Sequence, residues 1–313
     1  MSRKIIIDTD PGQDDAVAIL LALASPEELD VLGIVAVAGN VGLHHNANNA
    51  LKIVELSGRT DVPVYAGYSR PMRRHLVTAE HVHGDTGLNG PDLPEPTIKL
   101  QSQHGVDYII DTIMQAEPGT ITLCTLGPLT NIAMALVKEP AIAERIEEIV
   151  MMGGACFEGG NITPCAEFNI YVDPEAADVV MRCGAPITIL PLDVTHMIQS
   201  TPPRLDAIKA LASKTGDAVH AMLTFSETFD LNKYGWDGAP LHDPTVIAYL
   251  LKPDLFEWRH CNVTVETASE LTVGMTVVDY WHVTGRAYNA NYVRSGDADG
   301  FYTLLTERLA RLP

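Results

Sequence analysis

Lys4-Ile-Ile-Ile-Asp8-Thr-Asp10-Pro-Gly12-Gln-Asp14-Asp15-Ala16 is the stretch on which the fold turns. It opens on a short apolar run, the pattern of a strand buried on both faces of a parallel sheet. It runs into an amphipathic stretch, Asp14 to Ala24, that predicts a helix. Pro11 and Gly12 turn the chain between them. Four aspartates, Asp8, Asp10, Asp14 and Asp15, fall within eight residues here. The carboxyl ends of strands are where open α/β sheets bind ligands. A helix needs one N-cap, so capping by Asp14 or Asp15 accounts for one carboxylate and not for the set. Like charges this close call for a cation or another positive partner, and an all-oxygen donor set points to Ca²⁺ or Mg²⁺.

Outward from this stretch, strand-like and helix-like segments alternate. Strands are expected over 31–37, 62–66, 120–126, 148–152 and 187–190, with helices over 43–56, 106–116, after Gly127, and over 174–182. Residues 69–101 hold seven prolines or glycines and predict a long loop, usually a functional element in a compact domain. Helices follow over 202–212, 216–230 and 242–251, with a loop at 232–240 before the last of these. Residues 262–267 and 275–281 alternate like antiparallel strands, and 303–312 closes the chain as a helix. Repeated βα units predict one α/β domain over residues 1–313: an open, mainly parallel, Rossmann-like sheet flanked by helices, with a few antiparallel strands near the C-terminus.

Composition narrows the partners. The chain has 313 residues, 46% hydrophobic and 19% charged, an ordinary globular balance. Against 21 Lys and Arg stand 40 Asp and Glu, a net charge of −19 that repels phosphate backbones and argues against a nucleic-acid partner. No apolar run approaches the roughly 18 residues of a membrane span, and the first is too short for a signal peptide. Cys124, Cys156, Cys165, Cys183 and Cys261 are odd in number and lack C-x-x-C spacing. They read as reduced thiols of a cytoplasmic protein.

Polar residues recur where strands are expected to end: Asp10, Asp14 and Asp15, then Asn40, then Leu126-Gly127, then 152–169. Parallel strands bring these ends to one edge. No G-x-G-x-x-G follows the first strand, and P-loop and G-x-S-x-G patterns are absent. Carboxylates, amides and histidines around a hard cation suggest metal-assisted hydrolysis of a polyhydroxylated substrate.

Asp8-Thr-Asp-Pro-Gly-Gln-Asp-Asp-Ala16 resembles the N-terminal signature of the inosine-uridine-preferring nucleoside hydrolases. Val37-Ala-Gly-Asn40, His83-Gly84, Gly127-Pro-Leu-Thr-Asn131, Met152-Gly-Gly154, Ala166-Glu-Phe-Asn169, Asp173-Pro-Glu-Ala176 and His242-Asp243 resemble the family's later blocks, in order. The resemblance implies Ca²⁺-dependent hydrolysis of the N-glycosidic bond of a ribonucleoside. It implies that Asp10, Asp15, Asp243 and the Leu126 carbonyl hold the metal, and that Asp10 takes the proton of the attacking water. Asp14, Asn40, Asn161, Glu167 and Asn169 are expected to hold the ribose, with Met152 and Phe168 lining the sugar pocket. His83 and His242 are expected to face the base. The block through Tyr234 and Trp236 to His242 resembles the bacterial pyrimidine-preferring members, which implies a preference for uridine and cytidine. Those two aromatics either touch the substrate or pack within a loop. A homotetramer or homodimer is also implied. Two rival functions share parts of the pattern. A haloacid-dehalogenase-like phosphohydrolase also begins with Asp-x-Asp, yet Pro11-Gly12 departs from its motif. A non-catalytic sugar- or calcium-binding protein needs the same ligands.

Overall fold

The computed structural model describes residues 2–313. Its strands are β1 (Arg3–Thr9), β2 (Leu29–Ala36), β3 (Val64–Ala66), β4 (Ile121–Thr125), β5 (Ile146–Met152), β6 (Ile187–Leu190), β7 (Gln199–Ser200), β8 (Ala239–Pro240), β9 (Phe256–Val265), β10 (Thr276–Asp279) and β11 (Ala290–Gly296). Nine form one sheet in the order β10-β9-β11-β6-β5-β4-β1-β2-β3, and β7 pairs with β8. From β3 to β11 every pairing is parallel, while β9 runs antiparallel to both β11 and β10.

The sheet is apolar on both faces, as the first run requires. Ile5 and Ile7 enter one core and Ile6 the other, all fully buried. Helices Gln13–Leu23, Pro244–Leu251 and Ala298–Leu309 supply the first core. Gly105–Gln115, Thr130–Lys138 and Pro174–Met181 supply the second. The chain leaves β1 to build β2 and β3 on one side, then returns to build β4 on the other. The crevice above β1 and β4 is therefore a topological switch point.

Three expectations are corrected. The segment expected as a loop from residue 232 begins as helix: Lys214–Tyr234 continues until Gly235 takes a left-handed conformation at φ +67°. Two short helices, Phe168–Val172 and Leu192–Thr195, lie in stretches for which the sequence predicts no element. The C-terminal region holds three long-range strands rather than two, because β11 inserts between β6 and β9. The long loop 69–101 is irregular apart from one helical turn, Glu80–His83.

Candidate active site

The turn after β1 is built by its own carboxylates. Asp15 Oδ1 accepts from the Thr9 hydroxyl at 2.5 Å and the Asp10 amide at 3.2 Å. Its Oδ2 accepts from the Gly12 amide at 3.0 Å and Asn40 Nδ2 at 3.2 Å. Asp15 thus satisfies the helix start from the third helical position while Gly12 occupies the cap. Asp243 sits at the cap of Pro244–Leu251 yet makes no capping bond. Its carboxylate joins those of Asp14 and Asp15 instead, with one oxygen from each lying within 4.8 Å of the others.

Asp10 lies beside this trio. Its Oδ2 accepts from the Asn40 amide at 2.7 Å, and its buried Oδ1 has no partner. Gly39 and Gly127 pinch the carboxylate from either side. A Cβ on Gly39 would stand 2.0 Å from Oδ2, and one on Gly127 2.2 Å from Oδ1. Neither position admits a side chain without moving Asp10.

These carboxylates are held away from their ordinary ionisation. Burial pushes Asp10 and Asp243 well above the usual carboxylate range, and neighbouring aspartates push further the same way. Burial and Asp14 raise Asp15, and burial raises Asp14. Four crowded acids with an orphaned oxygen make a donor set that suits a hard cation. The Leu126 carbonyl, at the end of β4, accepts from Asn169 Nδ2 at 2.6 Å and keeps a second lone pair.

Above the acids lies a pocket. Asp14, Asn40, Leu126, Met152, Asn161, Glu167, Phe168, Asn169, Asp243, His83, His242 and Tyr234 line it. Asp10 and Asp15 are buried without lining it. Trp236 is not on its wall either: its ring stacks against Tyr234, with centroids 4.3 Å apart. Glu167 has a structural duty besides its place on the wall. It caps the helix Phe168–Val172, accepting from Asn169 and Ile170 amides at 2.8 and 3.2 Å, and from the Gly154 amide at 2.9 Å. Burial raises its pKa to about 7. Asn161 Oδ1 accepts from the Phe168 amide at 2.9 Å.

Both predicted histidines are neutral at pH 7. Burial lowers His83 to about 4 and His242 to about 3. Gln13 Nε2 donates to the His83 and Asn89 carbonyls at 3.0 Å, so Gln13 Oε1 accepts from His83 Nδ1 at 2.6 Å. Thr195 Oγ1 stands 2.7 Å from His242 Nδ1.

Several residues escaped the sequence reading. His81, Phe229 and Lys233 also line the pocket, and Lys233 Nζ donates to the Asn161 carbonyl at 2.7 Å. Gln13, Thr195 and His196 support the histidines. Gln13 lay inside the quoted motif. Thr195 and His196 follow a strand end, the one signal that could have singled them out.

A family model described as inosine-uridine preferring nucleoside hydrolase matches residues 5–303. An uncharacterized protein of Schizosaccharomyces pombe is 52% identical over 310 residues, covering 99% of this chain and 100% of its own. The pyrimidine-specific ribonucleoside hydrolase RihA of Shewanella sp. strain ANA-3 is 47% identical over 311 residues, covering 99% of this chain and 97% of its own. Among solved structures, the purine-preferring ribonucleoside hydrolase from Gardnerella vaginalis matches with a TM-score of 0.92 at 32% identity, covering 98% of each chain. A match along nearly the whole chain, onto a carboxylate-floored pocket at the switch point, has one meaning: this chain belongs to the inosine-uridine preferring nucleoside hydrolase family and is a ribonucleoside hydrolase.

Proposed function

We propose that the chain hydrolyses the N-glycosidic bond of pyrimidine ribonucleosides, uridine and cytidine above all, with Ca²⁺ as its metal. The observation that carries this reading is the convergence of three kinds of group on one pocket. The crowded carboxylates of Asp14 and Asp243, the amides Asn40, Asn161 and Asn169 with Glu167, and the rings of His83, His242 and Tyr234 all line it. Asp10, Asp15, Asp243 and the Leu126 carbonyl would hold the cation, with Asp14 beside them. When bound, such an ion supplies Lewis acidity toward water and a fixed anchor for neighbouring ribose hydroxyls.

The remaining chemistry belongs to the chain. Asp14, Asn40, Asn161, Glu167 and Asn169 orient the ribose through its hydroxyls, while Met152 and Phe168 cover its apolar side. Asp10 takes a proton from water as the new C1′–O bond forms. The C1′–N bond breaks with its electron pair going to the base, which gains a proton from solvent as Asp10 gives up the one it took. Nearby carboxylates stabilise the positive charge that develops on the sugar. Burial disfavours the charged form of His242 and His83, so each meets the base as a neutral imidazole before bond cleavage begins. Thr195 Oγ1, 2.7 Å from His242 Nδ1, fixes that edge of the ring and leaves Nε2 for the base. With Nδ1–H committed to Gln13, His83 offers Nε2 as an acceptor. Two imidazoles held by their Nδ1 edges suit the polar edge of a small base.

Likeness to RihA supports the pyrimidine preference. The five cysteines are unpaired, which supports a reducing, cytoplasmic setting, and among the described residues no helix is long and apolar enough to cross a membrane. The family resemblance supports a homodimer or homotetramer, which light scattering checks. Reducing-sugar release from uridine, cytidine, inosine and adenosine tests the substrate. Higher kcat/KM for the two pyrimidines is expected, and inosine equal to or better than uridine refutes that preference.

A further inference from the structure

The segment leaving β6 is tied to three separate parts of the pocket by successive side chains. Asp193, fully buried, accepts from the Cys156, Phe157 and Glu158 amides at 2.9, 2.6 and 2.9 Å. It also accepts from the Tyr292 hydroxyl at 2.5 Å. These bonds fix the start of the glycine-rich loop that carries Asn161. Thr195, also fully buried, meets His242 Nδ1. His196 then enters the aromatic group at the base end. Its ring centroid lies 5.9 Å from that of His242, 4.9 Å from Trp236 and 5.5 Å from Tyr234.

His196 is only 9% exposed. Its Nδ1 lies 3.4 Å from Glu158 Oε2, and its Nε2 is buried without a partner. A buried ring nitrogen left unpaired is a cost that a plain apolar filler would avoid. The ring does not line the pocket, yet it touches both His242 and the Tyr234–Trp236 stack, which come from opposite ends of the 234–242 segment. Beside it, the pairing of β7 with β8 and the Leu241 amide on the Ile198 carbonyl at 2.9 Å tie the backbone between the two to the same segment.

We propose that His196 is a positioning residue for the leaving base: it wedges between His242 and the Tyr234–Trp236 stack and sets their orientation over the pocket. The inference rests on the reading that the outer end of the pocket takes the base. It does not depend on which base is preferred. His196 meets the loop that carries Asn161 through Glu158 Oε2 at 3.4 Å, while the other ribose residues come from other elements, so its main effect falls on departure of the base.

The test compares two substrates in the full-length, metal-loaded enzyme. One is the nucleoside that the wild type cleaves fastest. The other is p-nitrophenyl β-D-ribofuranoside, whose nitrophenolate leaves without help from hydrogen bonds. His196→Ala is expected to lower kcat on the nucleoside by at least about tenfold, the scale of one hydrogen bond misplaced in the transition state. On the nitrophenyl riboside, kcat should stay within about twofold, because activated departure bypasses the residues that His196 orients. His196→Phe, which keeps the ring and its contacts, should restore most of the nucleoside rate. His196→Leu fills the space without an aromatic ring and serves if His196→Ala does not fold. Equal losses on both substrates, no loss on the nucleoside, or a His196→Phe variant as slow as His196→Ala would overturn the proposal. A wild type that releases ribose from no nucleoside would instead overturn the functional reading, before any variant is compared.

Discussion

At the scale of single residues, the site works because burial sets each ionisation. Asp10→Asn keeps an oxygen but cannot take a proton, so kcat should fall at least about 10²-fold with a smaller change in KM. Steady-state kinetics decides it, and a near-normal kcat would place the base elsewhere. His242→Ala should damage purine and pyrimidine substrates unequally, since their ring nitrogens differ, and the same four-nucleoside panel measures this. Asp8 offers a cleaner case below the site. Its Oδ2 accepts from Asn131 Nδ2 at 2.7 Å, its Oδ1 has no partner, and burial raises its pKa to about 8. A carboxyl raised in the fold contributes stability below its unfolded pKa and loses it as pH climbs through the folded value. Asp8→Asn removes that titration. Its Tm advantage over the wild type should therefore grow from pH 5 to pH 9, and a constant difference in thermal melts would contradict the argument.

At the scale of elements, Glu167 shows one side chain holding both a helix and a wall. Glu167→Ala removes the cap of Phe168–Val172 and leaves buried amides unpaired, so urea unfolding should show a loss of about 1–3 kcal/mol. Unchanged stability would mean that the cap is dispensable. This helix also marks where the sequence stops being legible. Long segments such as Leu43–Leu56 repeat an apolar face often enough to be read directly. Phe168–Val172 and Leu192–Thr195 are one turn each, too short for any period to show. The tail of Lys214–Tyr234 was hidden for a different reason. The sequence predicts a helix only to Asp230 and a loop from residue 232, and only Gly235 marks the real end. The aspartates of the first motif stand out from the residues alone, whereas His83, His242, Asn161, Glu167, Asn169 and Asp243 could be named only through the family resemblance. Trp236, for which the sequence leaves substrate contact and loop packing both open, stacks on Tyr234, since which side of a turn a ring faces is set by tertiary contacts. The same limit hid His196.

At the scale of the molecule, strand order gathers the site. Crossing from β3 back to β4 opens the crevice, and the crossing leaves Asp10, Asp14 and Asp15 from one side facing Leu126 from the other. Asp243 arrives from more than two hundred residues away in sequence. The assembly concentrates negative charge that the fold alone does not offset. In metal-free protein, the raised carboxylates should make stability fall as pH rises above the ordinary carboxylate range, by the same linkage sign as Asp8. Saturating Ca²⁺ should flatten that slope, because a ligand bound only by the folded state favours the ionised acids. Thermal melts across pH, with and without Ca²⁺, measure both slopes, and identical slopes would contradict the assignment. The most direct test of the whole reading is ribose release from uridine by enzyme stripped with a chelator and then given Ca²⁺ again. The account predicts no turnover after stripping and recovery on add-back, whereas full activity in the stripped enzyme would contradict it.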